Sequence, residues 1–184
     1  MVVGTTMSNP TSQIIPRSDH DTGADETTSG AVEWSDIEAL LRAGSGTTWL
    51  SVRTDHGVHT RPLFAAWTGF SFVIASKSTA AKTRHLEADG RVSLAIDLGT
   101  VHLVVEGTAR RLTETADLER ASAAMLEVYD WPTEVVGDEL DAPYAAPTSG
   151  GPPFQVWEMS PARAIALPAA GQFDPTRFTF GGGR

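Results

Sequence analysis

From residue 47 to residue 112 the apolar side chains recur with the short period of strands in five runs, Thr47 to Thr54, Val58 to Trp67, Phe70 to Ser76, Arg91 to Asp97 and Val101 to Leu112. Turn residues at 55–57, 68–69 and 98–100 separate neighbours, so the first three runs form a meander and the last two a hairpin. Ala80 to Asp89 predicts a brief helix, with Gly90 placed to end it. Leu118, Ala121, Met125 and Val128 share helical spacing between Thr115 and Tyr129 and predict a longer helix that lays an apolar stripe on the sheet. Phe154 to Leu167 returns to strand character. Upstream, Ser35 and Glu38 read as a capping box ahead of Ile37, Leu40 and Leu41, which starts the fold at Trp34, and Gly44 stops that helix.

Residues 1–30 are rich in Ser, Thr, Gly and Asp and have no apolar period beyond Ile14 and Ile15, so a disordered tail is expected ahead of one domain over residues 31–184. Residues 130–153, with five prolines and three glycines, predict a long ordered loop. Six strands in hairpins, with no repeated strand–helix–strand unit, argue for a mainly β protein: a six-stranded antiparallel barrel with helices at its margins.

Composition narrows the chemistry. No apolar run is long enough for a membrane span and the N-terminus lacks a signal-peptide pattern, so a cytoplasmic protein without membrane partners is expected. Zero cysteines exclude disulfides, thiolate metal sites and thiol nucleophiles. A formal net charge of -9, with four carboxylates and no base from Glu134 to Asp141, makes nucleic acid an unsuitable partner. The five histidines show no ligand spacing with carboxylates, and no metal is expected.

Against that acidic background the only two lysines, Lys77 and Lys82, lie together in Ser76-Lys77-Ser78-Thr79-Ala80-Ala81-Lys82-Thr83-Arg84. This segment joins a strand end to a helix start, where free backbone N–H groups, hydroxyls and ammonium groups converge on an anion. A Lys in the first helical turn is disfavoured by the positive end of the helix dipole by a few tenths to ~1 kcal/mol, so Lys82 makes most sense with a phosphate beside it. A solvated, Ser-rich connector is the plain alternative.

Several separated blocks carry a family likeness. They are Val58-His59-Thr60-Arg61-Pro62-Leu63, Ile74-Ala75-Ser76, Lys82-Thr83-Arg84-His85-Leu86, Gly90-Arg91-Val92-Ser93-Leu94 and Val104-Val105-Glu106-Gly107-Thr108. Tyr129-Asp130-Trp131, the run Ala146 to Phe154, Val156-Trp157-Glu158-Met159-Ser160-Pro161 and Pro175-Thr176-Arg177-Phe178 follow. In order and spacing the chain resembles the pyridoxamine 5'-phosphate oxidase-like split β-barrels, and within them the flavin and deazaflavin (F420) oxidoreductases.

The resemblance implies a cofactor, coenzyme F420 with FMN as the alternative, whose ring lies near Thr60, Arg61, Pro62 and Leu63. Its phosphate would lie near Ser76 and Lys82, with Lys77, Ser78 and Arg84 as further contacts. It also implies a homodimer in which Arg177 and Phe178 reach the partner's cofactor, although many relatives have Trp where this chain has Phe178. The activity implied is hydride transfer to a C=C or C=N bond of a small organic acceptor, with no side chain assigned as catalytic because the cofactor carries the hydride. The alternative is a module that binds a flavin, haem or other planar ligand without turnover.

Overall fold

The computed structural model describes residues 9–16, 30–44, 46–146 and 149–181, and readings on other residues, including most of the expected tail, lie outside the described residues. In chain order the elements are β1 (Thr11–Ile14), α1 (Trp34–Arg42), β2 (Thr47–Thr54), β3 (Gly57–Leu63), β4 (Ala65–Trp67), β5 (Phe72–Ser76), α2 (Ala81–Ala88), β6 (Arg91–Asp97), β7 (Val101–Leu112), α3 (Thr115–Tyr129), β8 (Glu134–Val136), β9 (Glu139–Asp141), β10 (Gln155–Pro168) and β11 (Thr176–Thr179). Among the described residues no helix is long and apolar enough to cross a membrane.

The six expected strands close into a ring. β2 pairs with β3 and β6, β6 with β7, β7 with β10, β10 with β5 and β5 with β4, all antiparallel. β3 and β4 belong to one run interrupted at Phe64, where the chain leaves β2 and takes up β5. The Tyr129 hydroxyl holds this crossing point: it accepts from the Ala65 N–H and donates to the Ala65 carbonyl, both at 3.0 Å. β10 lies between β7 and β5 in its first half, then shifts register between Pro161 and Arg163 and takes β11 in place of β5.

Alternation decides what each face buries. Leu50, Val52, Leu94, Ile96, Leu103, Val105, Phe72 and Ile74 fill the barrel together with Trp157 and Met159. Val73, between two barrel-facing neighbours, points the other way onto α3, so β5 is apolar on both faces and reads as a continuous run. The second core packs Leu118, Ala121 and Met125 of α3 against Leu112, Val156 and Phe154. Each large apolar side chain withdrawn from water in these cores contributes about 1.5–3 kcal/mol. α3 is also tied down by charge: the buried Glu158 accepts from Arg110 at 2.6 Å, Arg120 at 3.3 Å and Ser71 at 3.0 Å.

Four features depart from the sequence expectations. α1 begins at Trp34, which places Ser35 inside the first turn and leaves the helix without a side-chain cap. Trp34 is drawn in by edge-on packing on Trp67, Phe178 and Phe180, and Glu38 accepts from Trp67 Nε1 at 3.0 Å instead of closing a capping box. Thr11–Ile14, within the expected tail, is an edge strand on β11, held by backbone bonds that a polar sequence supplies as well as an apolar one. β8 and β9 form a small hairpin inside the expected loop, turning at Gly137 with φ of 64°. Phe178 is fully buried beneath Trp34, and its expected contact with a cofactor is corrected by that burial: a ring sealed in the core offers no face to a ligand.

Candidate functional site

Where β3 gives way to β4, the first residues of β2, the end of β5, the first turn of α2 and the segment after α3 enclose a cleft of about 480 Å³. This is within the usual size of small-molecule and cofactor sites, roughly 300–1,000 Å³. Pro62, Leu63 and Phe64 form one side, Ala75, Ser76, Lys77 and Lys82 the floor and basic end, and Trp131, Tyr144 and Phe154 the aromatic wall. Gly46 contributes at the start of β2, where a Cβ would collide with the Asp97 carbonyl, so the backbone approaches β6 there as only glycine permits.

The floor is built by hydroxyls. Thr83, buried in the first turn of α2, donates to the Lys77 carbonyl at 2.7 Å and lies 2.8 Å from Ser76 Oγ, which fastens the helix start to the end of β5. Ala80, the N-cap residue of α2, has no side-chain cap, so the first amides of the helix remain available beside Lys82. Lys77 is engaged elsewhere: its Nζ donates to the Pro152 carbonyl at 3.1 Å and stands 5.9 Å from the centre of the Phe154 ring.

Positive charge accumulates at this end. On β3 the residues His59, Arg61 and Leu63 pair with Val52, Leu50 and Thr48 and so share a face, and His59 meets His85 of α2 at 5.6 Å between ring centres. Burial, then the Arg61 charge, holds the Lys82 ammonium below its ordinary pKa. Burial, then Arg61, His85 and Lys82, likewise holds His59 below its ordinary value of 6.5. Among the described residues no carboxylate lies within ion-pair distance of Lys82 or Arg61. Asp89, after α2, is spent on Arg91 at 2.6 Å and on Arg53 at 3.5 Å. Uncapped amides with unneutralised, mutually repelling cations fit the phosphate of a cofactor and would be relieved by it.

Of the residues singled out in the sequence, Pro62, Leu63, Ser76, Lys77 and Lys82 converge on the cleft. Arg61 stands close enough to act on Lys82 by charge, while Thr60, whose Oγ1 lies 2.9 Å from Ser51 Oγ, does not line the cleft. Ser78 and Arg84 are exposed outside it. Arg177 belongs to a separate groove on the outer face of β7, β10 and β11, with Glu106 and Arg163. Missing from the sequence reading are Thr48, Phe64, Tyr144 and Phe154 in the lining and Thr83 beneath it. Trp131 carried a signal in the Tyr129-Asp130-Trp131 block: Asp130, left-handed at φ 50°, ends α3 and turns Trp131 into the wall.

A closed six-stranded antiparallel barrel with a basic, aromatic-walled cleft at a strand-to-helix junction defines a split β-barrel protein. The sequence pattern of the pyridoxamine 5'-phosphate oxidase family matches residues 37–167, and the chain belongs to that family. Among solved structures it is similar to a NimC/NimA family protein from Clostridium acetobutylicum, at 14% identity over 80% of this chain and 91% of that one, with a TM-score of 0.55. It is similar to a heme binding protein from Mycobacterium smegmatis, at 21% identity over 74% of this chain and 55% of that one, TM-score 0.53. A pyridoxamine 5'-phosphate oxidase-related, FMN binding protein from Nostoc punctiforme shares 14% identity over 81% of this chain and 90% of that one, TM-score 0.51. At these identities the likeness is one of fold. No curated protein matches the sequence.

Proposed function

We propose that the cleft binds a flavin-type cofactor through its phosphate, and that the protein is an oxidoreductase passing a hydride to a C=C or C=N bond of a small organic acceptor. The observation that carries this reading is the junction of the uncapped α2 start with Lys82 and Arg61, a donor set without a neutralising carboxylate. Family membership and the FMN named for the Nostoc punctiforme neighbour support it. When bound, the cofactor supplies the hydride, and the protein's work is to hold and orient it. Lys82 and the first amides of α2 hold the phosphate, Arg61 adds charge beside it, and Pro62 and Leu63 give the ring an apolar rest. Thr83 and Ser76 keep that floor in place.

F420 is the first choice of cofactor and FMN the second. F420 is placed first on the resemblance of the sequence blocks to the deazaflavin oxidoreductases. We read the protein as a homodimer, because the outward face of β2 and β3 leaves Trp49 and Val58 39% and 71% exposed, on either side of the Ser51–Thr60 hydroxyl pair. The second reading, a planar-ligand carrier without turnover, draws on the heme binding neighbour; against haem, no histidine lines the cleft among the described residues. Incubating purified protein with F420, FMN or haem, desalting it and recording the retained visible spectrum separates these ligands. Oxidation of the reduced, retained cofactor by candidate acceptors then tests turnover. Retention of neither F420 nor FMN contradicts the enzyme reading.

A further inference from the structure

The cleft has a second end that the phosphate does not explain. Phe64 stacks one face on Tyr129, with ring centres 4.3 Å apart and planes 18° from parallel, yet stays 47% exposed. Its other face therefore looks onto the cleft it lines. Trp131 stands edge-on to it at 6.4 Å, and Phe154 edge-on to Trp131 at 5.6 Å, which continues the wall toward the floor.

The polar atoms along this wall are occupied within the protein. The Tyr129 hydroxyl is shared by the Ala65 N–H and carbonyl. Trp131 Nε1 donates to the Tyr144 carbonyl at 2.9 Å, and the Tyr144 hydroxyl donates to the Asp130 carbonyl at 2.9 Å. No carboxylate lines the cleft among the described residues; of its ammonium groups, Lys82 belongs to the basic end, and Lys77, 5.9 Å from the centre of the Phe154 ring, donates to the Pro152 carbonyl at 3.1 Å. A ligand at the aromatic end meets ring faces and edges and few free hydrogen-bonding side chains. A charged group placed between Phe64 and Trp131, the part of the wall away from Lys77, would lose its hydration without gaining a partner.

We propose that this end is an acceptor subsite for a planar, uncharged aromatic molecule, with Phe64 as its specificity-determining platform. The role of acceptor rests on the cofactor reading above, whereas the preference for a neutral planar ring rests on the wall alone. Edge and face contacts with two or three rings reward flatness, because a puckered ring cannot lie against Phe64 and meet the Trp131 edge together.

The test uses the full chain and three probes of similar size: naphthalene-2-carboxamide, naphthalene-2-carboxylate and the fully saturated carboxamide. Binding is measured by calorimetry, alone and with FMN or F420 added. The neutral planar carboxamide binds at least about fivefold tighter than either comparator. Phe64→Leu, which keeps an apolar side chain without a ring, weakens the planar carboxamide about three- to tenfold and the saturated carboxamide much less. Equal or tighter binding of the carboxylate or the saturated amide overturns the proposal, as does unchanged affinity in Phe64→Leu. Failure of FMN and F420 to bind overturns the cofactor reading instead, and the probe series still decides the subsite.

Discussion

Lys82 stands half-buried at the start of a helix, close to the charge of Arg61, where both desolvation and repulsion work against its own charge. Such a position is costly without an anion and favourable once one arrives, which is why the proposed function gives Lys82 the phosphate. Lys82→Ala weakens binding of a phosphorylated cofactor by about 1.5–3 kcal/mol, read by titration, with little change in the melting temperature. His59 supplies a pH signature. Its folded pKa lies below the 6.5 of the free side chain, so the unfolded chain takes up the proton first as pH falls. The His59 contribution is therefore level above pH 6.5 and becomes destabilising as pH drops below it. Thermal melts of wild type and His59→Gln are expected to coincide near pH 8 and to separate near pH 5.5, with the glutamine variant the more stable; the opposite order contradicts the cationic cluster.

At the scale of elements, α3 is the support on which the aromatic wall depends, because its last turn sets Tyr129 against Ala65 and Phe64 and its cap delivers Trp131. The charge network at Glu158 anchors that helix to β10 and β7. Glu158→Ala leaves Arg110 and Arg120 without their buried partner and costs about 2–3 kcal/mol of stability in chemical denaturation, discounted because both guanidiniums are partly exposed. The same elements mark how far the sequence could be read. The barrel strands, α2 and α3 are legible because two-residue and helical periods report which face is buried. β1 and β11 are not, since their pairing rests on backbone bonds between polar stretches 160 residues and more apart. Lys82 stood out through local charge and helix position. Phe64, Tyr144 and Phe154 did not, because an aromatic residue in a cleft wall and one in a core look alike until the topology brings the Phe64 break, the α3 cap and the start of β10 together. Arg177 and Phe178 show the converse: family register alone placed them at a ligand, and the packing of Phe178 on Trp34 removes it from any site within the chain.

For the whole molecule, the net charge of -9 and the exposed Trp49 and Val58 on the outward face of β2 and β3 bear on assembly. Trp49 and Pro62 are cross-strand partners on that face, and Val58 lies farther along it. Light scattering is expected to give twice the chain mass of 19.6 kDa, and Trp49→Glu to return the protein to the single-chain value; a wild-type protein that already runs at 19.6 kDa contradicts the dimer. On the proposed function, the barrel, the basic floor and the aromatic wall together make a molecule that grips a phosphate at one end of a cleft and leaves rings to be chosen at the other. The phosphate is the central claim, and paired titrations of FMN against riboflavin, and of F420 against its chromophore lacking the phosphate, isolate it from the ring. In wild-type protein at least one phosphorylated form is expected to bind about tenfold or more tighter than its phosphate-free partner, with the advantage largely lost in Lys82→Ala. Equal affinities within both pairs, or an advantage that Lys82→Ala leaves intact, would contradict the site described.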